Sequence, residues 1–133
     1  MRWGGMEKIA IISHDGKKPD MVAFVKDNLH LLSEYDLTAT GTTGSHIEKA
    51  GLRVEKNLSG PKGGDAQIAA QVAEGKIHAV IFLRDPLGKH PHDPDISMLM
   101  RVCDVHNVPI FTNLKAAQIY LEYLYYKKKC GES

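Results

Sequence analysis

The sequence predicts a single α/β domain in which a five-stranded, mainly parallel sheet lies between two layers of helices. Three observations lead there. Short β-branched runs alternate with amphipathic segments along the chain. The first and fourth runs are apolar with little polar alternation, as suits strands covered on both faces. Polar and small residues recur after the runs, along what would be one edge of the sheet.

Lys8 to Ser13 reads as the first strand. From Asp20 to Leu32, Met21, Phe24, Val25, Leu29 and Leu32 fall at helical spacing. Leu37 to Thr40 is a second strand, and Thr43 to Ala50 a helix with Gly51 suited to its end. Leu52 to Leu58 is a weak third strand whose best apolar position is Val54. Gly64 to Glu74, rich in Ala and Gln, is a helix closed by Gly75. Ala79 to Leu83 is the fourth strand, Ile96 to His106 a helix, and Val108 to Phe111 the fifth strand. Leu114 to Lys129 is the last helix, with Tyr120, Tyr123 and Tyr126 spaced as a packing stripe. The alternation gives a parallel sheet with right-handed crossovers. No repeat or linker divides it. Residues 6–129 read as the domain, 1–5 as a disordered extension before a start at Met6, and 130–133 as a tail.

The length of 133 residues suits one domain. With 43% hydrophobic and 25% charged residues, it needs no disulfide or metal to fold. The net charge of +1 gives no electrostatic case for nucleic acid or a membrane surface. No stretch is apolar enough to span a bilayer, and the start lacks a signal peptide's apolar core, so the expected location is cytoplasmic. Cys103 lies in an apolar stretch and Cys130 in a polar one, which reads as two free thiols rather than a disulfide.

Thr40-Gly41-Thr42-Thr43-Gly44 opens a helix, where exposed N–H groups, the positive helix end and the hydroxyls favour a phosphate. The same residues also serve as an ordinary N-cap and turn. Ser59-Gly60-Pro61-Lys62-Gly63-Gly64-Asp65 is a second small-residue loop before a helix, and Asp65 is equally an acid in a first helical turn. Two such loops at strand ends favour a small anionic ligand. Lys18 would add charge for it, though alone it reads as a surface lysine. His90-Pro91-His92-Asp93-Pro94-Asp95 has three readings: metal ligands, a helix cap, or a histidine oriented by a carboxylate. For Asp95 alone, the cap ranks first. His30, His46, His78 and His106 read as structural or surface residues.

His14-Asp15 followed by Lys18, then the two loops, Asp85-Pro86-Leu87 and Pro91-His92-Asp93-Pro94-Asp95 occur in an order that closely resembles methylglyoxal synthases, from about Glu7 to Asn113. The resemblance implies a Rossmann-like fold, a homohexamer, and neither metal nor organic cofactor. It places the catalytic base on Asp65 and the imidazole beside the substrate oxygens on His92. It puts His14 in the pocket and the phosphate and substrate contacts on Lys18, Thr40, Gly41, Thr42, Thr43, Ser59 and Gly60. Asp15, Asp85 and Asp95 become supporting carboxylates. Some relatives carry a longer tail that brings a basic residue to a neighbouring subunit; no motif here matches it.

The implied reaction converts dihydroxyacetone phosphate to methylglyoxal and inorganic phosphate, with phosphate also a candidate inhibitor. The alternative is a non-catalytic, phosphate-ligand-binding regulatory domain of the same fold, as in carbamoyl phosphate synthetases. Such a domain needs the loops but no base, and Asp65 with His92 favours the enzyme. A phospho-accepting receiver domain would want paired acids after the first strand and a lone Asp after the third. Here a single acid, Asp15, follows the first strand, and Ser59-Gly60 follows the third.

Overall fold

The computed structural model describes residues 7–88 and 93–131. The expected extension over 1–5 and the catalytic candidate His92 lie outside the described residues, as do 132–133 of the tail. The strands are β1 (Lys8–Ser13), β2 (Asp36–Ala39), β3 (Glu55–Lys56), β4 (Ala79–Leu83) and β5 (Ile110–Phe111). The helices are α1 (Lys18–Asp27), α2 (Leu29–Leu32), α3 (Gly41–Lys49), α4 (Gly64–Ala73), α5 (Asp93–Val105) and α6 (Leu114–Lys129), with 3-10 turns at Asp15–Lys17 and Gly60–Lys62. The strand order is β3-β2-β1-β4-β5. Every pairing is parallel, as in Ile9 with Leu37, Ile11 with Ile81, Thr38 with Glu55 and Val80 with Ile110.

Period-two alternation sends β1 and β4 into two cores. Ile9, Ile11, Ile81 and Leu83 pack with α1, α2, α3 and α6 through Met21, Phe24, Leu32, Ile47 and Leu121. Ala10, Ile12, Val80 and Phe82 pack on the other face with α4 and α5 through Ile68, Val72, Ile96, Leu99 and Cys103. A strand covered on both sides has no solvent face to carry polar residues, which is why these two runs lack alternation.

The edge strands are shorter than expected. In the expected run from Leu52 to Leu58, only the exposed pair Glu55 and Lys56 joins the ladder, while Leu52 is buried beneath α3. In β5, Pro109 has no N–H to donate, and pairing shrinks to two residues. The helix expected from Asp20 to Leu32 breaks at Asn28. Its side-chain amide donates to the Phe24 carbonyl at 2.8 Å and exchanges hydrogen bonds with Gln118 at 2.9 and 3.0 Å. A polar side chain that competes for the backbone interrupts a helix in this way.

The stripe expected of Tyr120, Tyr123 and Tyr126 does not form. Tyr120 stacks on Phe111 with ring centroids 4.9 Å apart, but Tyr123 and Tyr126 are 53% and 68% exposed. The buried face of α6 is instead Ala117, Leu121 and Leu124. Both cysteines are free, Cys103 buried and Cys130 exposed. Among the described residues, no helix is long and apolar enough to cross a membrane.

Candidate active site

The chain runs outward from β1 to β2 and β3 on one side, then returns to place β4 and β5 on the other. The carboxyl ends of β1 and β4 therefore border the point where strand order reverses, where open α/β sheets bind ligands. His14, Asp15 and Lys18 follow β1, Thr40 to Thr43 follow β2, Ser59, Gly60 and Asp65 follow β3, and Asp85 follows β4. All these candidates stand at the same edge.

Thr40 is the N-cap of α3, extended at φ −72° and ψ 161°, and makes no side-chain cap hydrogen bond. The helix thus begins at Gly41 rather than at the expected Thr43, so Gly41, Thr42 and Thr43 form its first turn. Backbone N–H groups there have no partner within the helix. Gly41 spends its N–H on the Leu58 carbonyl at 3.2 Å, which ties this turn to the second loop. The N–H groups of Thr42 and Thr43 lie in this first turn, a kind of place where anions are commonly held.

The second loop folds into the 3-10 turn at Gly60–Lys62, with Ser59 as its N-cap. The Ser59 carbonyl accepts the N–H groups of Lys62 at 3.0 Å and Gly64 at 2.9 Å. Gly64 packs its α-carbon against the Leu58 peptide, and an added Cβ would overlap that carbonyl oxygen. Asp65 sits in the first turn of α4, where an acid is favoured by the helix dipole. That preference asks only for a solvated carboxylate. Asp65 is 2% exposed, and its two oxygens lie 3.5 and 3.6 Å from where a Cβ on Gly60 would stand.

His14 is 4% exposed, and its Nδ1 accepts the backbone N–H of Asp85 at 3.1 Å. Lys18 donates to the Ser13 carbonyl at 3.0 Å and to Asp15 Oδ1 at 3.1 Å, with Asp15 itself fully exposed. Such an exposed pair is worth little for stability; its ammonium is held over the β1 end by the carbonyl. Asp85 accepts the Leu87 N–H through Oδ1 at 3.2 Å. Asp95 is the third residue of α5, which starts at Asp93, so it lies in the first turn and is not the cap expected for it. Among the described residues, no group of His, Cys, Asp and Glu is arranged to hold a metal ion.

Three supporting residues were absent from the sequence candidates. The Ser13 hydroxyl lies 3.2 Å from that of Thr43 and joins β1 to the α3 turn. Asn57 donates to Thr38 Oγ1 at 2.7 Å and to the Ala39 carbonyl at 3.0 Å, and Gln67 accepts the Leu58 N–H at 2.8 Å. The polar Gln positions of the Ala-rich α4 were the available signal. A cavity of about 380 Å³ opens beside the site between α1 and α6, bordered by Lys17, Asp20, Arg84 and Asn113. A larger one, about 600 Å³, lies at the opposite end of the sheet against Lys8, Tyr35, Arg53 and Glu55, remote from every candidate above.

Residues 20–112 match the MGS-like domain family. Methylglyoxal synthase of Borrelia garinii is 56% identical over 117 residues, 87% of this chain and 93% of that protein. Those of Thermus thermophilus and Carboxydothermus hydrogenoformans are 55% and 56% identical over 120 residues, 90% of this chain and 95% and 99% of theirs. The crystal structure of methylglyoxal synthase from Elizabethkingia anophelis superposes with a TM-score of 0.83 at 39% identity, covering 87% of this chain and 77% of that one.

Proposed function

This chain belongs to the methylglyoxal synthase family, and from that premise we propose that it is a carbon–oxygen lyase that turns dihydroxyacetone phosphate into methylglyoxal and inorganic phosphate. The observation that carries the reading is a buried carboxylate, Asp65, on the same loop that backs the phosphate-facing turn.

Asp65 takes a proton from the hydroxymethyl carbon, and the electron pair left behind forms an enediolate. His92 donates to the oxygens that gain charge. The terminal hydroxyl then gives up its proton and its oxygen becomes the aldehyde carbonyl, the double bond shifts, and the C–O bond to phosphate breaks, the departing phosphate taking up that proton. The methylglyoxal enolate that remains takes a proton on its methylene carbon. Elimination requires the breaking C–O bond to stand out of the enediolate plane. The turns at Thr40, Gly41, Thr42, Thr43, Ser59 and Gly60, with Lys18, fix that torsion as well as binding the phosphate. Asp15, Asp85 and Asp95 support these groups.

The same reading takes residues 6–129 as one domain that works in the cytoplasm as a homo-oligomer, a hexamer by resemblance. It has no use for metal, organic cofactor, nucleic acid or membrane. Inorganic phosphate inhibits as a product that shares the substrate's anion site. The test is incubation of purified protein with dihydroxyacetone phosphate, following phosphate and dicarbonyl together. Equimolar release is expected, unchanged by a chelator. Asp65→Asn should lower kcat by about 10⁴-fold, the upper range for a lost general base, with KM nearly kept. Persisting turnover in that variant would show that the base is elsewhere.

A further inference from the structure

We propose that Ser13 is a positioning residue for the phosphate turn: its hydroxyl donates to Thr43 Oγ1 and so turns the Thr43 proton toward the bound anion. This deepens the reading above and rests on it. Ser13 ends β1 and, by strand alternation, shares the face of Ile9 and Ile11, the face on which α3 packs through Ile47. Its hydroxyl lies 3.2 Å from that of Thr43, and the two residues are 6% and 1% exposed. Two hydroxyls bring two protons, and the bond between them uses one. The other needs an acceptor, because a buried O–H without one is costly.

A threonine in a helix commonly places its proton on the carbonyl three or four residues back. At Thr43 both of those carbonyls are engaged. The Ala39 carbonyl takes the backbone N–H of Asn57 at 2.8 Å and its side-chain amide at 3.0 Å, and the Thr40 carbonyl takes the Gly44 N–H at 2.7 Å. Ser13 stands behind, in the sheet, whereas Thr43 stands in the first turn of α3, among N–H groups that have no partner within the helix. A phosphate oxygen accepts, so the order that completes the set is Ser13 to Thr43 to phosphate. The reverse order would turn a Thr43 lone pair on the anion. Each bond in such a chain polarises the next. The main chain of Ser13 contributes separately, since its carbonyl accepts the Lys18 ammonium at 3.0 Å. One residue thus sets two groups proposed to meet the phosphate, the first through its side chain and the second through its backbone.

Ser13→Ala removes the hydroxyl and keeps the carbonyl, so the Lys18 contact stays. Calorimetric titration with inorganic phosphate reads the turn without turnover. Ser13→Ala is expected to raise the phosphate Kd and the KM for dihydroxyacetone phosphate about tenfold each, the size of one hydrogen bond to a charged group. Its kcat should stay within about twofold, because the phosphate is held in substrate and transition state alike. The loss should run through Thr43. Thr43→Val should itself weaken phosphate binding, and adding Ser13→Ala to it should change Kd by less than about twofold. Losses that multiply overturn the relay. So does a Ser13→Ala protein with a lowered Tm and wild-type affinity for phosphate, which is the mark of a purely structural hydroxyl. Wild-type protein that binds no phosphate overturns it as well. Failure of the lyase reading looks different: phosphate binds and responds to Ser13, but dihydroxyacetone phosphate yields no methylglyoxal.

Discussion

A methyl group on Gly64 would test whether the two turns proposed to hold the phosphate must stay in register. The ideal Cβ overlaps the Leu58 carbonyl oxygen, and the Leu58 carbonyl carbon and Ser59 oxygen lie 2.8 and 3.0 Å from the same point. All three atoms are main chain, so no side-chain rotation relieves the overlap. The loop and α4 must separate by about 1 Å, a misplacement that costs about 10²-fold in rate when it moves reacting groups. Asp65 is the next residue, and the Leu58 carbonyl also holds the Gly41 N–H, so both the proposed base and the proposed phosphate turn shift. Overpacking of this kind destabilises by about 1–3 kcal/mol. Gly64→Ala should therefore lower kcat about 100-fold with a modest fall in Tm, read by steady-state kinetics and calorimetry on the same preparation. Gly75→Ala is the control, because Gly75 has φ +78° with open space around it. It should lose about 1 kcal/mol through backbone strain and keep its kcat. A Gly64→Ala protein with wild-type kcat would refute the coupling.

Further outcomes follow from the core and the titratable groups. Leu99 is fully buried in the core shared by α4 and α5; Leu99→Ala should cost about 2–5 kcal/mol in chemical denaturation, and a loss under 1 kcal/mol would mean the site collapses freely. Burial, with some help from Asp104, pushes the Cys103 thiol up from 9.0 to about 11. Its stabilising contribution is intact below pH 9.0 and fades as pH rises toward 11. At pH 8 a thiol reagent should label Cys130 alone in native protein and both cysteines after unfolding; fast native labelling of two thiols contradicts this. The Lys8 ammonium, 2.9 Å away, and the nearby Thr38 hold the Glu55 carboxyl below its usual 4.5. A depressed value contributes stability above the unfolded pKa that is lost as pH falls through the folded one. Glu55→Gln should flatten the acid limb of the stability curve below about pH 4.5, and an unaltered limb would deny the ion pair any part.

Central elements were legible in the chain because their burial is written in consecutive residues. Lys8 to Ser13 and Ala79 to Leu83 came out with their observed bounds, since both faces of each strand must be apolar. Edges were not, because Pro109 and the charged Glu55-Lys56 pair limit a ladder in ways that apolar content does not reveal. The tyrosine spacing misled for a related reason: a helix on a sheet buries one stripe, and Ala117, Leu121 and Leu124 already filled it. The strand-end loops could be read as candidates because the fold rule says where to look. Ser13, Asn57 and Gln67 could not, as each acts through a partner 9 to 30 residues away in sequence. The hydrogen bond from the Asp85 N–H to His14 Nδ1 was likewise invisible, spanning 71 positions.

Leu58 carries a different lesson. Its side chain is half in water, 51% exposed. Its N–H meets Gln67, its carbonyl meets Gly41, and the flank of that carbonyl is where Gly64 docks. The hinge pin between the two loops of the candidate site is thus a peptide unit with no chemical signature in the residue that bears it. Alanine scanning would pass over position 58 without a mark, while the same survey at Gly41, Gly64 and Gln67 would report damage whose common origin lies in the residue that scored nothing.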